Sequence, residues 1–304
     1  MKSEYNVLNF LINMNILYIF IITFLFSCQS SSLNSVNENN GDEDIEPDYT
    51  TIPLLIGTRG MFNPEDHEHS ISALIQAPPW VDGVYFNIRM TTDGVPVLMH
   101  DFRVDRTTDG TGPINTLTLE EVQALDAGGG EPVVTLEQYL QAILNRESLS
   151  GRRPFSRIFL NPRAESIEAI SEMYSIAMDP KFSSLADRYT WQFNDIVENN
   201  TGAVNLRSLD ETVKIGTFLS EPDYVKEVIN VMESVNGNTI LMWPNNYKSN
   251  KETLQKIKDS GFESGLSRIS PPYLDVIPIA HDDPNVKVLY TWYTNELSWW
   301  YPDE

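Results

Sequence analysis

The 304-residue chain is short of cysteine, of positive charge and of long apolar runs. A single cysteine, Cys28, excludes an intrachain disulfide and a cysteine-rich zinc site. Lysine and arginine number 21 against 43 acidic residues, a net charge of -22. A surface of that sign repels nucleic acid and anionic head groups, so nucleic acid is excluded as a partner. The longest largely apolar run, Ile16 to Phe26, has eleven residues with Thr23 among them, well under the roughly 20 that a spanning helix needs. Glycine and proline contents are ordinary, which excludes a collagen-like or low-complexity chain. There is no Ser/His/Asp order and no Cys/His metal spacing. Gly128-Gly129-Gly130 lacks the Lys-Ser/Thr that would follow in a P-loop.

What is present begins with that apolar run, which suits the h-region of a signal peptide. It leads into Leu25-Phe26-Ser27-Cys28, which resembles a bacterial lipobox. The resemblance implies a signal segment over 1–28, lipidation of Cys28, and an extracytoplasmic lipoprotein of the cell envelope held at a membrane by its lipid. Lys2 is the one base before Cys28, and Glu4 offsets it. Residues 29–50 are Ser, Asn and acid, with six acids and no base. Such a stretch cannot bury apolar surface and reads as a disordered tether. The remaining body, 51–304, carries a net charge of -16.

In the body, short apolar runs alternate with amphipathic stretches. Strand patterns cover Ile52–Gly57, Gly83–Met90, Val95–Met99, Arg157–Asn161, Tyr189–Phe193, Val213–Phe218, Thr239–Trp243, Gly265–Ile269 and Val286–Tyr293. Helical periodicity covers Leu117–Leu125, Leu136–Leu144, Glu165–Ala177, Asp223–Val235 and Lys251–Asp259, the first opened by Thr116 or Thr118 as cap. This alternation predicts an α/β fold with a parallel sheet, and its length suits a (β/α)8 TIM-type barrel. Nine strands are one too many. The Thr91-Thr92-Asp93-Gly94 turn is hairpin-like, so one strand of that pair is the expected extra.

Residues 91–112, TTDGVPVLMHDFRVDRTTDGTG, and the following TLTLEEVQALDAG and EPVVTLEQYL carry a dense pattern. It resembles the glycerophosphodiester phosphodiesterase family. Gly57-Thr58-Arg59-Gly60 and Pro64-Glu65 sit where that family has H-R-G and P-E-N-T, and Tyr290–Asn295 is similar to its last strand. The resemblance implies a TIM-type barrel that cleaves a glycerol-type phosphodiester. Two histidines would serve as acid and base, and a divalent cation on three carboxylates would neutralise the phosphate.

Carried over residue by residue, the second family histidine falls on His100, beside Asp101, and the H-R-G arginine on Arg59. The first histidine falls on Thr58. The E-x-D carboxylates fall on Tyr85 and Asn87, the E-x-K carboxylate on Asn161 and its lysine on Arg163. A phenol and two amides offer no formal charge where hard cations need anionic oxygen, so the family's calcium or magnesium is expected to be lost. Arg59 and Arg163 are expected to keep two cations at the phosphate position, uncancelled by carboxylates. Catalysis, if any, would rest on His100.

Three functions follow. The first is a membrane-tethered, degenerate member that binds a small phosphodiester or polyol-like ligand. The second is a working phosphodiester hydrolase using His100 with Arg59 and Arg163. The third is a structural or interaction lipoprotein. Asp66-His67-Glu68-His69 reads either as a replacement metal cluster or as an exposed polar loop. Trp243, Asn245, Asn246, Tyr247, Trp292, Tyr293, Trp299, Trp300 and Tyr301 either roof a polyol pocket or pack the C-terminal part. Asp101, Asp105, Arg106 and the Thr107–Gly112 loop are expected to pair with one another and turn the chain.

Overall fold

The computed structural model describes residues 53–63, 65–194, 196–244, 251–269, 280 and 282–291. The signal segment, Cys28, the tether and most of the late aromatic residues lie outside these. Among the described residues no helix is long and apolar enough to cross a membrane.

Nine strands form one sheet: β1 (Leu54–Thr58), β2 (Gly83–Met90), β3 (Pro96–Leu98), β4 (Arg157–Pro162), β5 (Tyr189–Phe193), β6 (Ile215–Leu219), β7 (Thr239–Met242), β8 (Glu263–Ile269) and β9 (Val288–Thr291). Eight of them pair in parallel in the order β1, β2, β4, β5, β6, β7, β8, β9, and β9 closes on β1. This is the TIM-type barrel that the alternation predicts. The ninth strand, β3, is antiparallel to β2 across the 91–94 turn and lies outside the closed cylinder, so the hairpin supplies the extra strand.

Buried β2 and β4 read as near-continuous apolar runs, as strands covered on both faces do. The helices carry local signals of their own. Thr118 and Thr135 each form a full capping box, with Glu121 and Gln138, at the heads of Leu119–Gln123 and Leu136–Glu147. Ile167–Ala177, Val225–Ser234 and Lys251–Asp259 follow the expected period. Ile71–Gln76, Ser183–Ala186 and Thr201–Leu209 were not anticipated. The first two are only six and four residues long. The third has no side-chain cap bond and holds Gly202, where a Cβ would stand 2.8 Å from the Phe193 ring.

The core has two layers and an annex. The larger cluster lies between barrel and helices. Inside the barrel, Ile56, Tyr85, Phe159, Leu241, Val288 and Tyr290 pack together and plug the cylinder. Val97, Met99, Val104, Ile114, Val122 and Val133 form a separate small core beneath the 91–134 excursion. Beyond the plug, towards the C-terminal ends of the strands, the interior turns polar, with Thr58, Asn87, Asn161 and Gln192 all buried. In this fold that end carries the functional loops.

Candidate functional site at the barrel mouth

A cavity of about 210 Å³ opens at this end. It gathers Thr58, Arg59, Tyr85, His100 and Arg163, five of the residues singled out in the sequence, from β1, β2, the β3 end and β4. Asn194, Ser267 and Arg268 complete the polar wall, and Phe218 and Tyr290 the aromatic one. Asn87 and Asn161 do not reach the cavity wall. They lie fully buried, with Asn87 bonded to Tyr85.

Strand register explains this grouping. Tyr85 and Asn87 are two apart on β2, so both face inward. Thr58 is opposite Tyr85, and Asn87 is opposite Asn161. The three positions bond to one another: Asn87 Nδ2 donates to the Tyr85 hydroxyl at 2.8 Å and to Asn161 Oδ1 at 3.0 Å. Asn161 Nδ2 donates on to the Gln192 carbonyl and to Asn194 Oδ1. Burial pushes the Tyr85 phenol up, so it stays neutral. The result is an uncharged hydrogen-bonded chain across β2 and β4.

His100 ends in a different network. Its Nδ1 lies 2.6 Å from Asp101 Oδ1, and both Arg89 Nε and Nη2 donate to its carbonyl at 3.0 and 2.8 Å. Burial, helped by the charges of Arg59 and Arg163, lowers its pKa to about 4 against the opposing pull of Asp101. The neutral ring donates its Nδ1–H in a hydrogen bond to Asp101, which leaves Nε2 as a proton acceptor. Asp101 in turn takes Arg106 Nε at 2.5 Å, and Arg106 forks onto Glu68 at 2.9 Å twice. Glu68 also takes Arg59 Nη1 at 2.6 Å. An alternating chain of charges thus runs from Arg59 to His100. Arg106 therefore does more than pair within its own loop: it ties that loop to Glu68.

Two expectations need correction here. The Arg59 charge is not uncancelled, because Glu68 sits on it. Burial alone would raise Glu68, but the Arg106 bonds and the Arg59 charge hold it at about 2. The 66–69 run is a loop of mixed exposure, with His67 exposed, Asp66 and Glu68 half-buried and His69 buried. Asp66 accepts from the Phe62 and Asn63 amides, and Glu68 binds the arginines. His67 packs against Gly128, where a Cβ would lie 2.3 Å from its ring. His69 is buried, with its Nε2 accepting from the Asn87 amide at 3.2 Å. Among the described residues no group of three or more His, Cys, Asp or Glu side chains could hold a metal ion. Glu65 is exposed, and Glu68 is the acid that serves the site.

Arg268 is the residue that the sequence reading missed. Its guanidinium lies 4.0 Å from the Trp243 ring centre and on the cavity wall. The β8–β9 register shifts between Leu266 and Ile269, and Arg268 takes φ 60 there. A bulge of this kind re-aims a side chain, whereas the sequence GLSRI reads as plain strand. Arg59, at φ 56, and His69, at φ 61, share the left-handed region. Two of the four described non-glycine residues in that region, Arg59 and Arg268, therefore line the mouth, where strained backbone commonly serves function. Gly60 follows at φ 65, and a Cβ there would strike the Tyr139 hydroxyl at 2.3 Å.

Several buried polar atoms lining the cavity have no hydrogen-bond partner among the described residues. They are Thr58 Oγ1, Arg163 Nε, Ser267 Oγ and the Tyr290 hydroxyl. Buried groups of this kind are normally satisfied by water or a ligand. The Asn194 amide sits beside Arg163 and, turned with its oxygen towards it, accepts from the guanidinium at 2.5 and 3.1 Å.

The buried histidines predict an acid response. Burial also depresses His69, to about 3. Between the unfolded histidine value of roughly 6.5 and these folded values, the unfolded chain binds protons that the folded chain refuses. Stability therefore falls as pH falls through this window, and Glu68 adds to the loss lower down. Thermal unfolding followed from pH 7 to 4 is expected to show a falling midpoint. His69→Gln, whose amide oxygen can still accept from Asn87, is expected to flatten the slope; equal slopes would contradict the assignment.

A closed barrel with an arginine-lined mouth and a carboxylate-held histidine defines a TIM-type domain with basic side chains at its mouth. Residues 57–154 match the family model described as glycerophosphoryl diester phosphodiesterase family. A glycerophosphodiester phosphodiesterase of Caldanaerobacter subterraneus is 36% identical over 115 residues, covering 34% of this chain and 47% of that protein. Human glycerophosphodiester phosphodiesterase 1 is 39% identical over 88 residues, 26% of this chain and 27% of its own length. The matched region thus spans less than half of either relative. Among solved structures, a phosphodiesterase of Oleispira antarctica in complex with its product sn-glycerol-3-phosphate superposes with TM-score 0.66 at 18% identity, over 81% of this chain and 96% of that one. A putative glycerophosphodiester phosphodiesterase of Galdieria sulphuraria gives TM-score 0.67 at 18% identity, over 83% and 99%. These two likenesses concern the fold. Residues 57–154 are thus similar to the glycerophosphodiester phosphodiesterase family, and the barrel as a whole shares its fold.

Proposed function

We propose that the mouth binds a small phosphate-bearing or polyol ligand and has lost metal-dependent hydrolysis of phosphodiesters. The observation that carries this reading is the neutral chain Tyr85–Asn87–Asn161, bonded within itself at the three positions that the family resemblance assigns to carboxylates. A phenol and two amides already occupied by one another do not suit a hard divalent cation, which takes anionic oxygens. Above them, Arg59, Arg163 and Arg268 line one cavity, with no carboxylate on its wall among the described residues. Guanidinium forks suit phosphate oxygens. The orphaned hydroxyls of Thr58, Ser267 and Tyr290 would serve the ligand's oxygens. The product held by the Oleispira antarctica enzyme supports glycerol phosphate as the ligand class.

The test is titration of the full chain with sn-glycerol 3-phosphate, followed by NMR of the His100 ring. A saturable shift is the expected result, and an unchanged ring at saturating ligand would contradict binding at this mouth. The second reading, a metal-independent hydrolase, is favoured by the His100–Asp101 contact, which leaves Nε2 able to accept a proton. It lacks a second acid or base at Thr58.

Anchoring at Cys28 belongs to the same proposal and rests on the lipobox-like segment alone. Cys28→Ser is expected to move the protein from the membrane fraction to the soluble fraction. An unchanged distribution would exclude lipidation as the anchor.

A further inference from the structure

Arg59 and Arg163 stand at positions where the family resemblance places cations, whereas Arg268 has no counterpart among them. Its backbone sits at a register shift in β8 with φ 60, so its side chain leaves the regular alternation of the strand. Its guanidinium stacks over the Trp243 ring, 4.0 Å from the centre, a contact that holds the planar fork in place. Arg268 comes from β8, Arg59 follows β1 and Arg163 follows β4, yet all three line one cavity. Burial pushes the Tyr85 phenol up, and the charges of Arg163, Arg59 and Arg268 all oppose that rise. The three guanidinium groups thus surround the same corner of the mouth.

Phosphate esters differ in what they offer to three such forks. A monoester presents three terminal oxygens and about two negative charges at neutral pH. A second ester link removes one of those oxygens and one of those charges. A diester can therefore serve two guanidinium groups, and its second ester arm has to lie against the third. Hydrogen bonds between ions are the strong kind, so the third fork favours the monoester selectively. His100 adds no positive charge near neutral pH, because burial lowers its pKa to about 4. Its Nε2, an acceptor, suits a hydroxyl of the ligand instead.

We propose that Arg268 makes the mouth selective for a phosphate monoester, a dianion of the glycerol phosphate type, over a phosphodiester. This rests on the phosphate-binding reading of the mouth and adds the ligand class and the residue that sets it. The preferred ligand is then of the kind that phosphodiester hydrolysis releases, not the kind it consumes.

The experiment uses the full chain and two ligands that differ by one methyl group, sn-glycerol 3-phosphate and its methyl diester. Their affinities are measured by calorimetry at about pH 8, where the monoester is a dianion. The wild-type chain is expected to bind the monoester at least about tenfold tighter, the effect of one added charge-assisted hydrogen bond. Arg268 is exposed, and Arg268→Asn is a substitution that left-handed backbone tolerates. That variant is expected to lose about tenfold for the monoester and to hold the diester within about twofold, which removes the preference. Arg268→Lys keeps the charge without the fork and should retain part of the preference. Equal affinity of the wild-type chain for the two ligands would overturn the selectivity while leaving the phosphate reading intact. A preference that survives Arg268→Asn, or an equal loss of both ligands in that variant, would overturn the role given to Arg268. Failure of both ligands to bind the wild-type chain would overturn the phosphate reading and the selectivity with it.

Discussion

Placing carboxylates back at the three interior positions, as Tyr85→Glu, Asn87→Asp and Asn161→Glu together, should make the fold depend on a divalent cation. Asn87 and Asn161 are fully buried and Tyr85 nearly so. Each new carboxylate would lose the mutual hydrogen bonds of the neutral chain and face two like charges. An uncompensated buried charge costs about 3–5 kcal/mol, against a total stability of roughly 5–15 kcal/mol for a domain. Calcium would supply the missing counter-charge. A ligand that binds only the folded state at a hundredfold excess over its dissociation constant adds about 2.7 kcal/mol, which is roughly 5–10 °C in a domain of this size. The triple variant should therefore melt low without calcium and recover with it, while the wild-type midpoint stays unmoved by calcium or magnesium. A calcium-dependent rise in the wild-type chain would contradict the neutral reading of the interior.

The second large effect is expected at Arg163. Its guanidinium lines the cavity, and its Nε is buried without a partner among the described residues. A hydrogen bond involving a charged group contributes about 1.5–3 kcal/mol. Arg163→Met should thus weaken sn-glycerol 3-phosphate binding by roughly tenfold to a hundredfold. Arg163→Lys keeps the charge and loses the planar fork, so its loss should be intermediate. Arg103→Met, at an exposed arginine paired with Asp105 and outside the cavity, is the control and should bind as wild type. Calorimetry distinguishes these outcomes, and equal affinity in Arg163→Met would remove that residue from the site.

Much of the barrel was legible because each strand carries its own signal. Buried parallel strands read as apolar runs, and all nine runs became strands within a few residues of their expected ends. Helices without a capping residue or a strong stripe, such as Thr201–Leu209, left no such signal. In the site, the motif around His100 and the residues it brought with it were legible, and the cavity collects Thr58, Arg59, Tyr85, His100 and Arg163 together. What was not legible depends on register and backbone geometry. The pairing of Asn87 with Asn161 follows from strand alignment across 74 residues of sequence. Arg268 reaches the mouth through a bulge that its local sequence does not announce. Glu68 and His69 looked like one polar run, yet adjacent residues in a tight loop point to different partners, one to arginines and one to the β2 backbone.

The chain is strongly acidic, yet its mouth carries three arginines and its interior three neutral side chains where the family resemblance calls for acids. On the proposed reading, the positions a cation would need are neutral here, and the positions a phosphate would need are basic. The neighbouring family fold alone would suggest hydrolysis, whereas function resides in the site rather than in the barrel.

The most direct measurement is release of glycerol 3-phosphate from glycerophosphocholine by the purified full-length chain, with and without calcium or magnesium. The account predicts no cation-dependent turnover above the buffer, in a protein that nonetheless binds sn-glycerol 3-phosphate. Cation-dependent turnover that disappears in His100→Ala would contradict it.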